Sequence, residues 1–198
     1  MIYGYFGLPR VGKTYSACYW AWTQAKKHKR VVYSNVPLDG GYVLDVERLG
    51  HEFYLQRHSI VVIDEVQWFA NSRQWQSLAD GLYFLFSQSG KLAIDFLYTA
   101  QDSSRVDKTL REVTNIFYDI NRVGRVFFNR VYYSNVDYSL QRKGILQLGI
   151  MRPWFFTKFD TSFWVTTSDF VKPTIPDKKW TFSGDKWDVV QVLEKALE

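Results

Sequence analysis

The sequence predicts an α/β fold of the phosphate-binding-loop type: a mainly parallel central sheet flanked by helices, with an antiparallel β extension. Three observations carry this. The pattern Gly7-x-x-x-x-Gly12-Lys13-Thr14 follows a short apolar run (Ile2, Tyr3, Tyr5, Phe6) and opens a stretch free of Gly and Pro. Ile60-Val61-Val62-Ile63, four consecutive β-branched residues, ends in Asp64-Glu65, which is how a central parallel strand covered on both faces reads. Up to Ile120 strand-like and helix-like stretches alternate, whereas beyond Asn121 strand-like stretches follow one another without helices.

Taken in order, Lys13–His28 carries Ala17, Ala21 and Ala25 at four-residue spacing and predicts the helix after the loop. Its end, Lys26-Lys27-His28-Lys29-Arg30, places cations at the negative pole of the helix dipole. Val31–Asn35 is a short strand closed by Pro37 and the Asp39-Gly40-Gly41 turn, and Asp45–Leu49 is a weak helical patch. Ser77–Phe86, with Leu78, Leu82 and Leu85 on one face, predicts a second helix. Ala93–Thr99 is a strand, the spacing of Val106, Leu110 and Val113 is helical, and Ile116–Ile120 is a further strand. Val126–Ser134, Ile145–Ile150 and Phe155–Val165 read as β segments. Lys172–Lys186, with Pro173, Pro176 and Gly184, reads as a loop, and Asp188–Leu197 as a terminal helix. The division this predicts is an ATPase-type core over 1–120, an antiparallel extension of the same domain over 121–171, and a loop and helix over 172–198.

With 198 residues and 46% hydrophobic content the chain can bury a sizeable core. A net charge of +5 and a pI near 9.2 fit a polyanionic partner and equally fit ordinary solubilising charge. Cys18 is the only cysteine, which excludes an internal disulfide framework and a cysteine-rich zinc site and suits a reducing compartment. No apolar run approaches the roughly 18–20 residues that cross a bilayer, and the start of the chain lacks a signal-peptide pattern.

The loop pattern has a physical logic. Its glycines let successive N–H groups turn toward phosphate oxygens, and the helix that follows adds its positive end. Gly7, Leu8, Pro9, Arg10, Val11, Gly12, Lys13, Thr14 and Tyr15 are therefore the nucleotide-contacting set, with Lys13 reaching the β- and γ-phosphates of ATP. The Thr14 hydroxyl and Asp64 are the predicted Mg²⁺ ligands, and Glu65 is the candidate general base for an attacking water. In ATPases that use such an adjacent glutamate, an extra strand between the two phosphate-contacting strands carries a polar sensor at its tip. Gln101 stands at that place and joins Lys13 and Glu65 as a catalytic candidate.

Beyond these motifs, several segments carry a family resemblance. They are Tyr33-Ser34-Asn35-Val36-Pro37-Leu38, Ile63–Phe69 with Ser72-Arg73, Thr99–Arg111, and Phe159-Asp160-Thr161. Together they resemble the zonula-occludens-toxin-like ATPases, over about Met1–Thr161. That family includes the filamentous-phage assembly protein and belongs with the FtsK–HerA motors, among them genome-packaging ATPases of membrane-containing viruses. The resemblance implies an ATP-driven homo-oligomeric ring in which an arginine acts in trans on the transferring phosphoryl group, with Arg73, Arg105 and Arg111 as the candidates.

The leading functional expectation is an ATPase motor that packages viral genomic DNA during virion assembly. Arg122, Arg125, Arg130, Arg142 and Lys143 are available to grip phosphates along a channel. Filamentous-phage members carry a membrane-spanning helix and an outer domain after the ATPase. This sequence ends at Glu198 with neither, which favours the packaging branch. It places the protein in the host cytoplasm, associated with virions or peripheral at the membrane, beside capsid or membrane-associated assembly proteins. Two alternatives stay open: an extrusion ATPase docking on a membrane complex, and a nucleotide-dependent switch whose hydrolysis is incidental. A small-molecule kinase shares the loop, but Asp64, Glu65 and Gln101 fit hydrolysis better.

Overall fold

The computed structural model describes residues 1–46, 49, 55–68, 75–134, 144–160, 178–183 and 186–191. Its first element is β1 (Ile2–Phe6), buried throughout, which feeds the loop and then α1 (Lys13–His28). There follow β2 (Val32–Ser34), β3 (Tyr42–Val43) and β4 (Ile60–Ile63), then α2 (Trp75–Leu92), β5 (Asp95–Ala100), α3 (Lys108–Val113) and β6 (Ile116–Asp119). The chain continues through β7 (Arg122–Val123), β8 (Val126–Tyr133), β9 (Ile145–Ile150), β10 (Lys178–Ser183) and β11 (Lys186–Gln191).

All eleven described strands form one sheet, in the order β11-β10-β3-β2-β4-β5-β1-β6-β8-β7, with β9 also on β8. From β3 to β6 the neighbours are parallel. Strands β7, β8 and β9 extend one end in antiparallel pairing, as β10 and β11 extend the other. Alternation along the strands creates two cores. On one face Tyr3, Tyr5, Val62 and Leu97 pack against Ala17, Cys18 and Ala21 of α1. On the other, Phe6, Val61, Ile63, Phe96 and Tyr98 meet Phe86 of α2 and Leu110 of α3. Because β1, β2, β4 and β5 run parallel, the residues that follow their carboxyl ends gather at one edge.

Several boundaries differ from the sequence reading. The Asp45–Leu49 patch is not helical among its described residues; Val46 is a bend and Leu49 a bridge, joined by one N–H to carbonyl bond of 3.3 Å. The second helix runs past Phe86 to Leu92. The Val106–Val113 spacing spans a break, since α3 begins only after Asp107, whose carboxylate accepts the Thr109 N–H at 2.7 Å. In the predicted strand Phe155–Val165, Pro153–Thr157 is instead a 3₁₀ turn opened by Pro153, and buried Phe155 anchors it against Tyr19, Trp22 and Phe159; residues 161–165 lie outside the described set. The predicted loop and terminal helix are corrected to the hairpin β10–β11 where the chain is described, with Ser183 paired to Lys186. Alternating Trp180 and Phe182 before Gly184-Asp185, then Trp187 and Val189, is a hairpin pattern, and the prolines upstream had drawn the reading toward a loop.

At the opposite sheet edge Arg30 is not a solvated member of the basic cluster. Its guanidinium pairs with Asp95 and donates to the carbonyls of His58, Ser59 and Ala93, while Asp95 also takes the Met1 ammonium at 2.7 Å. Arg30 and Asp95 side chains are only 17% and 15% exposed, so removing one partner leaves the other charge poorly solvated. The substitution Arg30→Met is expected to cost about 2–4 kcal/mol of stability, read from urea denaturation with an unchanged slope; a loss below about 0.5 kcal/mol contradicts this staple.

Candidate functional site

The loop between β1 and α1 is shaped by backbone conformations that few side chains tolerate. Gly7, Arg10 and Gly12 have φ of 142°, 64° and 98°. A Cβ at Gly12 would meet the Phe127 ring at 2.8 Å, so this position needs glycine for its dihedral and for space. Gly12 precedes α1 and has no side chain with which to cap it, so the first N–H groups of the helix, those of Lys13, Thr14 and Tyr15, have no intrahelical acceptor and no capping side chain. Lys13 is buried, and its Nζ donates to the Leu8 carbonyl at 3.0 Å, across its own loop. Burial lowers the Lys13 pKa, against the pull of Glu65 and Asp64.

The two carboxylates arrive at the end of β4. Thr14 donates its hydroxyl to Asp64 Oδ1 at 2.7 Å, and the Thr99 hydroxyl donates to the same oxygen at 2.7 Å. Thr99 Oγ1 also accepts the Glu65 N–H at 2.9 Å. Asn35 holds Asp64 from the other side, accepting its N–H at 2.7 Å and donating to its carbonyl at 3.1 Å. Burial is the largest influence on Asp64 and pushes its pKa up; the two hydroxyl hydrogen bonds oppose it, Glu65 adds to it, and Lys13 counteracts. Glu65 has φ of 52°, a left-handed conformation that turns the chain as it leaves the sheet. Its carboxylate accepts a hydrogen bond from Gln67 Nε2.

The expectation of an intervening strand is met: β5 lies between β1 and β4, in register from Ile2 opposite Phe96 to Phe6 opposite Ala100. Gln101 follows directly, at the edge where Gly7 leaves β1, and its Oε1 accepts from Arg105 Nη1 at 3.0 Å. The structure thus brings Lys13, Thr14, Asp64, Glu65 and Gln101 to one edge. The buried ring of Tyr15 packs with Tyr19, Phe127, Phe155, Phe156 and Phe159 and its hydroxyl accepts the Arg152 N–H at 2.7 Å, which leaves its backbone N–H, in the first turn of α1, as its group for the expected nucleotide contact. Leu8, Pro9 and Arg10 are exposed on the loop, with Val11 partly buried. Arg111 lies on α3 with Nε buried and its charge close to Tyr98. Arg73 lies outside the described residues.

Sequence reasoning assigned no role to Asn35 or Thr99. Their signal was a polar residue at the tip of an apolar strand, at the edge where Asp64 emerges. It also missed that Arg122 Nη2 donates to the Arg10 carbonyl at 2.9 Å, tying β7 to the loop. The donor set suits Mg²⁺, which takes a hydroxyl and a carboxylate and leaves its other positions to phosphate and water. A buried carboxylate held in the unfavourable charged state is the group a cation relieves.

With this geometry in view, the sequence profile of the family described as Zonular occludens toxin (Zot) matches residues 41–147, more than half of the chain. The chain belongs to the Zot family. The matched stretch contains Asp64, Glu65 and Gln101 and begins after the loop. Among solved structures, the chain resembles the N-terminal domain of zonular occludens toxin from Neisseria meningitidis: 14% identical, TM-score 0.59, covering 80% of this chain and 98% of that one. At that identity the likeness speaks for the fold. The genome-packaging NTPase B204 from Sulfolobus turreted icosahedral virus 2, in complex with ATP-gammaS, is 10% identical over 62% of this chain and 76% of its own, with a TM-score of 0.46. No curated protein sequence matches the chain. With its glycine loop between β1 and α1 and with β5 set between β1 and β4, the Zot-family chain has the P-loop NTPase fold, and among its described residues no helix is long and apolar enough to cross a membrane.

The raised pKa of Asp64 gives a signed prediction. Below the ordinary carboxylate range Asp64 is protonated in folded and unfolded chains alike; above its raised folded value, the buried charge costs stability. Asp64→Asn keeps an oxygen for Thr14 and Thr99. It is expected to melt higher than the parent in magnesium-free buffer at neutral pH, with the difference closing as pH falls into the ordinary carboxylate range. Equal melting points at neutral pH contradict the burial argument.

Proposed function

We propose that this Zot-family chain binds ATP with Mg²⁺ at the Gly7–Tyr15 loop and hydrolyses it, and that hydrolysis drives viral DNA movement during virion assembly. One observation carries the hydrolytic reading: Thr14 and Asp64 share a hydrogen bond beside buried Lys13, with Glu65 the next residue at the same sheet edge. When bound, the metal supplies charge neutralisation to the phosphates, held by Thr14 and Asp64. Lys13 exchanges the Leu8 carbonyl for phosphate oxygens, which restores a counter-charge to a desolvated ammonium. The loop and helix N–H groups orient the phosphates. Glu65, anchored through its N–H to Thr99, accepts the proton of the attacking water. Gln101, its oxygen held by Arg105, directs its amide N–H groups at that water or at the γ-phosphate.

The DNA reading rests on family membership and on the basic residues of the extension. Arg125 and Arg130 are exposed, Arg122 is engaged by the loop, and Arg142 and Lys143 lie outside the described residues. As subunits of a homo-oligomeric ring, neighbours exchange an arginine. Arg105 is coupled to its own Gln101 and Arg111 has a buried Nε, so Arg105 acts within its own subunit in this scheme. Capsid or membrane-associated assembly proteins in the host cytoplasm are the remaining partners.

Steady-state hydrolysis and nucleotide binding separate the roles. Lys13→Ala is expected to abolish binding of labelled ATP, whereas Glu65→Gln is expected to bind ATP and lose about 10²–10⁴-fold in kcat. DNA is expected to stimulate the parent enzyme, in a manner weakened by salt. A Glu65→Gln protein with full turnover contradicts the hydrolytic assignment. Normal basal turnover with no response to single- or double-stranded DNA contradicts the DNA motor.

A further inference from the structure

The candidate base is held by a residue to which no role has yet been given. Gln67 Nε2 donates to Glu65 Oε2, and among the described residues this is the only hydrogen bond that the Glu65 carboxylate makes. Lys13, Thr14 and Gln101 are each bonded elsewhere, to the Leu8 carbonyl, to Asp64 and to Arg105. Chemistry fixes which end of the amide faces Glu65, because a carboxylate only accepts and would repel an oxygen. Gln67 Oε1 is thereby turned the other way, where it is buried without a donor. The tether closes over a tight stretch of chain. Glu65 has φ of 52°, and its carbonyl accepts the Trp68 N–H at 3.0 Å, so that Val66–Trp68 is a 3₁₀ turn. Val66 is fully buried and pins that turn, whereas Trp68 at its end is 66% exposed.

We propose that Gln67 is a positioning residue: it keeps the Glu65 carboxylate on the turn, off the attacking water, until DNA engages the turn at Trp68 and draws Gln67 away. This rests on the hydrolytic reading of Glu65 and adds how turnover is tied to DNA. The tether directs the carboxylate toward the segment that leaves the sheet, whereas the phosphates belong over the Gly7–Thr14 loop, to which that carboxylate makes no hydrogen bond. It is also a tether that is easily let go. Gln67 gains one charge-assisted bond and leaves its oxygen desolvated and unpaired, two effects of similar size and opposite sign. Release brings that oxygen to water, so the held and released arrangements lie close in free energy, and a ligand with a modest preference between them shifts the balance. A non-glycine residue in the left-handed region adds to this, since such strain gathers where a segment changes state. The exposed Trp68 indole supplies the point of contact, because every nucleotide base offers a face on which an indole stacks.

Steady-state ATP hydrolysis by the full chain, with and without an oligonucleotide duplex or its single strands, tests this in Gln67→Leu and Gln67→Ala. The leucine is close in size to glutamine and removes an unpaired buried oxygen, so the fold tolerates it. Binding of labelled ATP and far-UV circular dichroism confirm that each variant is folded. Both are expected to turn over about tenfold faster than the parent without DNA, at unchanged KM, as removal of a restraint that leaves about a tenth of the molecules active requires. DNA is expected to change their rate by less than about twofold while stimulating the parent more strongly. Combining Gln67→Leu with Glu65→Gln is expected to abolish the gain, which assigns it to the base. Loss of a residue with a purely structural role does not raise kcat. Folded variants that turn over more slowly than the parent, or at its rate with its full response to DNA, overturn the proposal and leave the hydrolytic reading standing. A Glu65→Gln protein with full turnover overturns both.

Discussion

The arrangement of this protein hangs on one buried carboxylate. Asp64 terminates the most apolar strand of the sheet, and it is the point where β4, β5 and α1 are joined by side-chain hydrogen bonds: Thr14 reaches it from the helix and Thr99 from the neighbouring strand. Desolvation opposes its charge more strongly than the two hydroxyls and Lys13 support it, so the site is under-compensated as it stands. That imbalance is what makes a cation and its phosphate ligands the natural complement. Glu65 inherits its place from the same constraint, because Thr99 fixes its N–H while fixing Asp64.

The strands beyond Asn121 are more than an appendage to this site. Phe127 packs on Gly12 and Arg122 holds the Arg10 carbonyl, while at the end of β6 the Ile120 carbonyl would lie 2.5 Å from a Cβ on Gly7. Tyr15 is locked by the Arg152 N–H and by a cluster of aromatic rings. The phosphate loop is therefore shaped from two directions, by the sheet that feeds it and by the antiparallel strands that flank it. This accounts for part of the heavy aromatic content, since these rings fill the space between α1 and the extension.

What the sequence made legible follows physical lines. The loop, α1 and the Asp64-Glu65 strand were readable because each is specified locally, by glycines at fixed offsets, by alanine spacing and by an unbroken β-branched run. The insertion of β5 between β1 and β4 came from comparison with ATPases of this type. The hairpin β10–β11 was misread because its prolines lie nearby while its own alternation is short. Phe155 was misread as strand since an aromatic run does not announce a 3₁₀ turn; Pro153 does. Asn35, Thr99 and Arg122 could not be given roles, because each acts on a residue distant in the chain and only the sheet order brings them together. The ring of Tyr15, a residue of the expected nucleotide-contacting set, was not legible as core, because Phe127 and Phe155, on which it packs, lie more than a hundred positions away.

In the proposed function Asp64 and Thr14 together hold the metal that accompanies the nucleotide. Calorimetric titration of a non-hydrolysable ATP analogue, with magnesium and with chelator, into the parent protein and Asp64→Asn examines this directly. Magnesium is expected to tighten binding to the parent and to leave the Asp64→Asn affinity nearly unchanged. An equal tightening in both proteins would contradict it.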